Sequence, residues 1–284
     1  MRRKTKRSRK AKKPVRRKPK TVKRRTRGKP RKKRPPQKSR PSCHGDTSRL
    51  VSGGDKAVES RVLVIGDTHC SGMRSGYVSF LQSIAEMHNI NRVVHIGVLV
   101  DWTSISFHDK APSLRNSTQE YKLAKKQGAL LARAFPKADW LIGNHDCLTQ
   151  RQADMVGLPS DVLRDYNDLW QIDWKVHPRF ASLVIDGVIY KHGDSGRGGQ
   201  DAAFNQAKDN FRSTVLGHFH SSAGVKWWAN PEFRVFGMAV GCGIDASKLQ
   251  FEYGRKITKK PILGCGVVIN GKRAVFEPWL LKSR

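Results

Sequence analysis

Three times in the first half of this chain a short apolar run breaks off into a polar loop, and this punctuation narrows the fold more than any other feature. Val62 to Gly66, inside RVLVIGDTHC, is the first run; Arg92 to Ile96 is the second and Ala138 to Ile142 the third. Brief, β-branched-rich runs of this kind mark strands covered on both faces of a sheet. Between the first two, Tyr77 to Asn89 places Val78, Leu81, Ile84, Ala85 and Met87 close to helical spacing. Between the second and third, Ser117 or Thr118 opens a helix, with Glu120 near its start and Pro136 at its end. Strand and helix in alternation predict βαβ units with right-handed crossovers.

The second half reads differently. Ser182 to Ile185 and Val188 to Tyr190 flank Asp186-Gly187, a strong signal for a type I′ hairpin. Val215-Leu216, Gly224 to Trp228 and Phe233 to Val240 supply further strands, and Gly266 to Ile269 with Ala274 to Glu277 surround Asn270-Gly271. The reading is an α/β sandwich in one domain, 58–284, ending in antiparallel sheet.

What precedes that domain is of another kind. Of the 55 Lys and Arg in the chain, 24 lie in residues 1–40, which hold no Asp or Glu. The remainder carries 31 against 23, so most of the formal charge of +32 sits in one tail. A segment this charged, interrupted by Pro14, Pro19, Pro30, Pro35 and Pro36, cannot bury enough apolar surface to offset its ordering entropy, and it reads as disordered. Its chemistry is that of a polyanion binder, with salt-dependent and sequence-blind affinity. Arg2, Arg3, Lys4, Arg16, Arg17, Lys18, Arg24, Arg25, Arg31, Lys32, Lys33 and Arg34 are the candidate nucleic-acid contacts. Fully extended, the tail reaches at most ~140 Å, and as a flexible coil roughly 35 Å, so it tethers without fixing orientation. A nuclear-localisation address and a solubilising arm are the bland alternatives. Residues 41–57, rich in Gly and Ser, read as a linker.

Five scattered cysteines without a C-x-x-C pair support neither a disulfide framework nor a zinc ribbon. No apolar run approaches a membrane span, and no apolar h-region follows the N-terminus. The expectation is an intracellular protein, cytoplasmic or nucleoid/nuclear, and not secreted.

The chemistry lies in the loops. Asp67 and His69 sit on the loop leaving the first strand at its C-terminal end, where open α/β sheets place ligands, and an oxygen with an imidazole aimed at one point suggests a metal. Further polar loops follow the other strands: Gly97 to Asp101, Gly143-Asn144-His145-Asp146, His192 in YKHGD, and His218 and His220 in GHFH. A histidine at a strand end is more often a surface or capping residue than a ligand. Five such loops together are hard to explain that way.

In order along the chain, these blocks resemble the calcineurin-like metallophosphoesterase superfamily, whose pattern runs D-x-H, G-D-x-x-D, G-N-H-[DE], a lone His and G-H-x-H. Here they stand as Asp67-Thr68-His69, Gly97-Val98-Leu99-Val100-Asp101, Gly143-Asn144-His145-Asp146, His192, and Gly217-His218-Phe219-His220. The resemblance implies a β-sandwich flanked by helices, with two divalent metal ions (Mn, Fe, Zn or Mg) at the sheet edge. By position, Asp67, His69 and His220 would hold one ion, and Asn144, His192 and His218 the other. Such ions lie ~3.5 to 4 Å apart and activate a water against a phosphoryl group. His145 would protonate the leaving oxygen, and Asp101 would orient it.

One block departs from the pattern. Val98 stands where the family has an Asp bridging both metals. Two dications ~3.5 Å apart repel by roughly 19 kcal/mol even at an effective dielectric of about 20, so losing an anion between them should remove or weaken one ion, chiefly the one held by neutral ligands. The explanations are an inactive natural homologue, a mutated or disabled copy, or substitution by Asp101, Asp146 or Asp194. Two functions follow: a metal-dependent phosphoesterase acting on nucleic acid or nucleotides, or an inactive homologue that binds nucleic acid. Trp102, Ser104, Phe107 and His108, with the segment Gly193 to Gly199 and Arg197, are the expected lining of the cleft. Cys70 and Cys147 read as small buried fillers.

Overall fold

A computed structural model describes residues 59–108, 110, 112–248 and 260–280. The basic tail 1–40, with all twelve of its candidate contacts from Arg2 to Arg34, and the linker 41–57 lie outside the described residues.

Two sheets face each other. The first has the order β11-β10-β1-β2-β3-β4, built from β1 (Arg61–Ile65), β2 (Arg92–His95), β3 (Asp139–Leu141), β4 (Lys175–His177), β10 (Gly264–Ile269) and β11 (Arg273–Pro278). Strands β1 to β4 run parallel, as the alternation predicts, and β10 joins β1 antiparallel. Helices α1 (Tyr77–Met87) and α2 (Ser117–Ala134) connect the first three strands. Asn116 caps α2, its side chain accepting from Gln119 N at 3.0 Å. Every residue of β1 is apolar after Arg61 because both faces are covered. Val62 and Val64 face the second sheet, while Leu63 and Ile65 face the helices with Tyr77, Leu81 and Leu131. Leu63 and Ile65 are fully buried, and truncating either to Ala should cost about 2–5 kcal/mol.

The second sheet has the order β5-β6-β7-β9-β8, from β5 (Leu183–Ile185), β6 (Val188–Lys191), β7 (Thr214–Leu216), β8 (Ala223–Ala229) and β9 (Arg234–Val240). Both expected hairpins form with left-handed turn residues, Asp186 and Gly187 at φ 48° and 77°, Asn270 and Gly271 at 50° and 63°. The expectation of an antiparallel second half needs correction, since β6, β7 and β9 are parallel neighbours. Between β6 and β7 the cause is a helix, α5 (Ala202–Asp209), which carries the chain across behind a glycine-rich lead, while β9 comes parallel to β7 because β8, antiparallel to β9 at the sheet edge, intervenes. Its Ala202 and Ala203 pack on Leu216 and Ala239. Two further helices, α3 (Leu148–Met155) and α4 (Tyr166–Trp170), follow β3. The last hairpin, β10–β11, returns to the first sheet beside β1.

Candidate metal centre

This topology brings five strand ends to one edge. β1, β2 and β3 deliver Asp67 and His69, Gly97 to Asp101, and Asn144 to Asp146; β6 delivers His192, and β7 delivers His218 and His220. The sheets meet there, with Asp67 bridged to Cys242 beyond the end of β9 and accepting from Gly243 N at 2.8 Å.

Asp67, His69 and His220 converge. His220 Nε2 lies 2.9 Å from Asp67 Oδ2 and 3.2 Å from His69 Nε2, and His69 Nε2 lies 3.9 Å from Asp67 Oδ2. Ligands spaced tetrahedrally about a divalent ion at about 2.0–2.1 Å are about 3.3 Å apart, so the three atoms fit one cation. Proton placement agrees. His69 Nδ1 donates to Asp101 Oδ1 at 2.7 Å, which leaves Nε2 with a lone pair facing the group. Burial takes the His69 pKa down to about 4 despite Asp101, keeping the ring neutral at pH 7. Burial also raises Asp67, but His192, His220 and His69 outweigh it and hold the carboxyl well below the usual range.

Asn144, His192 and His218 form a second group. His192 Nδ1 donates to Ile96 O at 3.1 Å, leaving Nε2 as an acceptor 2.9 Å from Asn144 Oδ1. Two acceptors face each other, an arrangement that also suits a cation. The His192 and His218 rings meet edge-on with centroids 5.0 Å apart, and burial lowers both pKa values, His218 to about 4.

His145 and Asp101 lie beside the first group. His145 Nδ1 donates to Asp101 O at 2.7 Å and stands 3.3 Å from Asp101 Oδ1. Burial pulls the His145 pKa down, but Asp101 raises it by more, so the ring is held above its ordinary value. Asp101 thus stands behind two imidazoles, His69 as well as His145, where the sequence implied one.

Val98 is buried against this edge at φ 46°, a left-handed conformation that a β-branched residue rarely adopts. A Cβ on Gly143 would meet Val98 Cγ2 at 2.8 Å and His192 Cε1 at 3.1 Å, so the valine methyl and the His192 ring crowd the same space. The acids named as substitutes are engaged elsewhere. Asp101 holds His69 and the hydroxyl of Thr103, and Asp146 accepts from Val100 N at 3.1 Å and Gly143 N at 2.8 Å. Asp194 accepts from Arg179 Nε at 2.9 Å. Burial raises the Asp146 pKa to about 7 against those two backbone donors.

Several contributors escape a reading by residue type. A Cβ on Gly97 would lie 2.4 Å from His192 Nδ1, and one on Gly217 2.6 Å from Asp67 Oδ1, so both positions need glycine for close approach. His95, wholly buried, lies 3.1 Å from Thr68 Oγ1, and that hydroxyl reaches Leu99 O at 3.1 Å. Its signal was an ionisable residue inside the apolar stretch Val93 to Ile96. Of the expected cleft lining, Trp102 is instead a core residue stacked on Tyr121, and Arg197 pairs with Asp209. Phe107 is exposed beneath the Arg151 guanidinium, 4.7 Å from the ring centroid. Cys70 and Cys147 are buried, with Cys70 pushed by burial up to about 12, in keeping with their role as fillers.

Residues 60–271 match the family model for calcineurin-like phosphoesterases, and the chain belongs to that family. It is a hydrolase of the metallophosphoesterase type, and the family implies divalent metal ions. No curated protein matches the sequence significantly. Among solved structures it is similar to vacuolar protein sorting 29 from Cryptosporidium parvum, at 12% identity and TM-score 0.39 over 74% of this chain and 85% of that one. It is also similar to the phosphoesterase YfcE from E. coli, at 11% and 0.38 over 73% and 87%, and to Vps29 from Chaetomium thermophilum, at 9% and 0.35 over 74% and 82%. Likenesses this distant say nothing of substrate. Among the described residues no helix is long and apolar enough to cross a membrane.

Proposed function

We propose that this chain hydrolyses phosphate mono- or diesters in nucleic acid or nucleotides, with Asp67, His69 and His220 holding the principal metal ion. The observation that carries the reading is the convergence of one carboxylate oxygen and two imidazole Nε2 atoms from two sheets, with His145 beside them. A divalent ion bound there would supply a Lewis acid and lower the pKa of its bound water toward neutrality. The chain supplies the rest. Asp67 Oδ1 accepts from His218 N at 3.0 Å, so one carboxylate serves the first cluster and fixes the loop of the second. His145 Nδ1–H is committed to Asp101 O, so Nε2 is the atom that passes a proton to the leaving oxygen. Mixed O and N ligands without thiolate suit Mn, Fe, Zn or Mg. The second group, Asn144, His192 and His218, has no carboxylate of its own and a Val98 methyl beside it, so it binds its ion more weakly.

The tail carries the substrate class. Twenty-four cations in forty residues favour a polyanion, and deleting residues 1–40 should flatten the salt dependence of DNA binding. An unchanged slope would refute that role. A second reading, an inactive homologue that binds nucleic acid, is favoured by Val98 alone. The chain and a Val98→Asp variant, assayed with Mn²⁺ against bis-p-nitrophenyl phosphate and against single- and double-stranded DNA, separate the two. Hydrolysis by the chain itself supports the enzyme, activity only after the substitution supports the inactive homologue, and none in either sinks the enzyme reading.

A further inference from the structure

We infer that Thr103 and Glu120, outside every motif of the site, are positioning residues that hold Asp101 against His69 and His145; this rests on the reading of Asp101 as the carboxylate behind those imidazoles. Asp101 has two oxygens with different duties. Oδ1 takes the His69 Nδ1 proton at 2.7 Å and stands 3.3 Å from His145 Nδ1, while Oδ2 accepts from the Thr103 hydroxyl. A carboxylate gripped by one oxygen can rotate about its last torsion, and one gripped by both cannot. The Thr103 hydroxyl therefore decides whether Oδ1 stays in line with His69, and so whether His69 Nε2 stays aimed at Asp67 and His220.

Thr103 is in turn held from α2. Residues Thr103–Ile105 form a single 3-10 turn straight after Asp101, entered through Trp102 at φ 51°. A left-handed Trp is uncommon and persists only where its surroundings over-determine it. Two adjacent residues of α2 do so. Tyr121 stacks on the Trp102 ring, with centroids 6.3 Å apart and planes within 9°, and Glu120 turns both carboxylate oxygens onto the turn. Its Oε1 accepts from Thr103 N at 2.7 Å and its Oε2 from Ser104 N at 2.8 Å. Glu120 is buried, a costly place for a carboxylate unless its acceptors are used. An ordinary residue at the first turn of an amphipathic helix would be turned to solvent. This one is turned inward onto two consecutive amides, two residues from Asp101.

The contrary account makes Glu120 and Thr103 a cap for the turn with no bearing on the metal. Calorimetric titration of Mn²⁺ into the metal-stripped full chain tells them apart, whether or not the chain turns over. Thr103→Val keeps the shape and removes the hydroxyl; it should weaken Mn²⁺ affinity about tenfold, the lower end of what residues behind metal ligands contribute. Thr103→Ser should restore the affinity, and Glu120→Gln, which accepts through one oxygen only, should weaken it in the same direction. In steady-state assays kcat should fall with KM nearly unchanged. Wild-type affinity in Thr103→Val with a lowered melting temperature overturns the inference and leaves a cap; equal affinities in the Val and Ser variants also overturn it. Asp101→Asn is the arm that tests the underlying reading. If it leaves Mn²⁺ affinity unchanged, the reading of Asp101 fails first; if it weakens affinity while Thr103→Val does not, only this inference fails.

Discussion

The two candidate ligand groups at the sheet edge are built on one plan and endowed unequally. Each has a histidine whose Nδ1 is committed to an oxygen, Asp101 Oδ1 for His69 and Ile96 O for His192, so that Nε2 faces inward. Each takes one histidine from the loop after β7. The first group has a carboxylate buried to zero exposure and held ionised by its histidines, and another carboxylate behind it. The second has an amide, two neutral imidazoles and a valine methyl. The lesson is that geometry and charge are separable: the second group keeps its shape without the anion that a second dication needs.

The sharpest break of this comparison removes the carboxylate from the better-endowed group. Asp67→Asn should cost about 10⁴-fold in activity, the several kcal/mol of charge stabilisation that a bound divalent ion supplies, and should abolish high-affinity Mn²⁺ binding by calorimetry. If both survive, the first group is not the principal site. Next in size, His145→Asn should lower hydrolysis of alkyl phosphate esters by about 10³-fold and of p-nitrophenyl esters much less, because nitrophenolate leaves without a proton. Equal losses on the two substrates would remove His145 from the acid's role. Val98→Asp acts in the opposite direction. It should raise the calorimetric stoichiometry from one Mn²⁺ to two and activity by about 10- to 100-fold, one to three kcal/mol; a stoichiometry that stays at one would show that charge was not what the second group lacked.

The smallest effect concerns protons. Burial holds His95 down to about 3, and His69 and His218 to about 4, so each binds fewer protons folded than unfolded between that value and about 6.5. The stability these three contribute is therefore fully present above about pH 6.5 and is lost as pH falls toward those folded values. For the metal-free chain the three together outweigh the opposite slope of Asp146 and His145, whose folded values are raised, and urea unfolding should give a lower midpoint at pH 5.5 than at pH 7. His95→Gln should remove about 1 kcal/mol of that difference, and an unchanged slope would show that His95 is not buried neutral.

Much of this was legible in the chain. The first three strands, both I′ hairpins and every residue of the two groups stood out, because strand ends and turn dipeptides are local signals. The parallel pairing of β6 with β7 was not legible, since α5 is eight residues long and follows a glycine-rich lead that reads as loop. Trp102 read as cleft lining from its place beside Asp101, yet its left-handed backbone turns the ring into the core against Tyr121. Thr103 and Glu120 carried no motif at all, and seventeen residues separate the two ends of their contact.

By itself, then, the sequence named the candidate donors and the valine that stands among them. Asp, His and Asn at strand ends, and Val98 among them, are choices of chemistry written one residue at a time. Only the tertiary structure brings Asp67 and His220 within 2.9 Å of each other, because they are 153 positions apart and meet across two sheets, and no periodicity encodes that distance. It also decided that Asp101 serves His69 as well as His145. Which proton a carboxylate accepts depends on the rotamer its neighbours allow, and those neighbours, Thr103 and through it Glu120 on α2, are brought to Asp101 by packing.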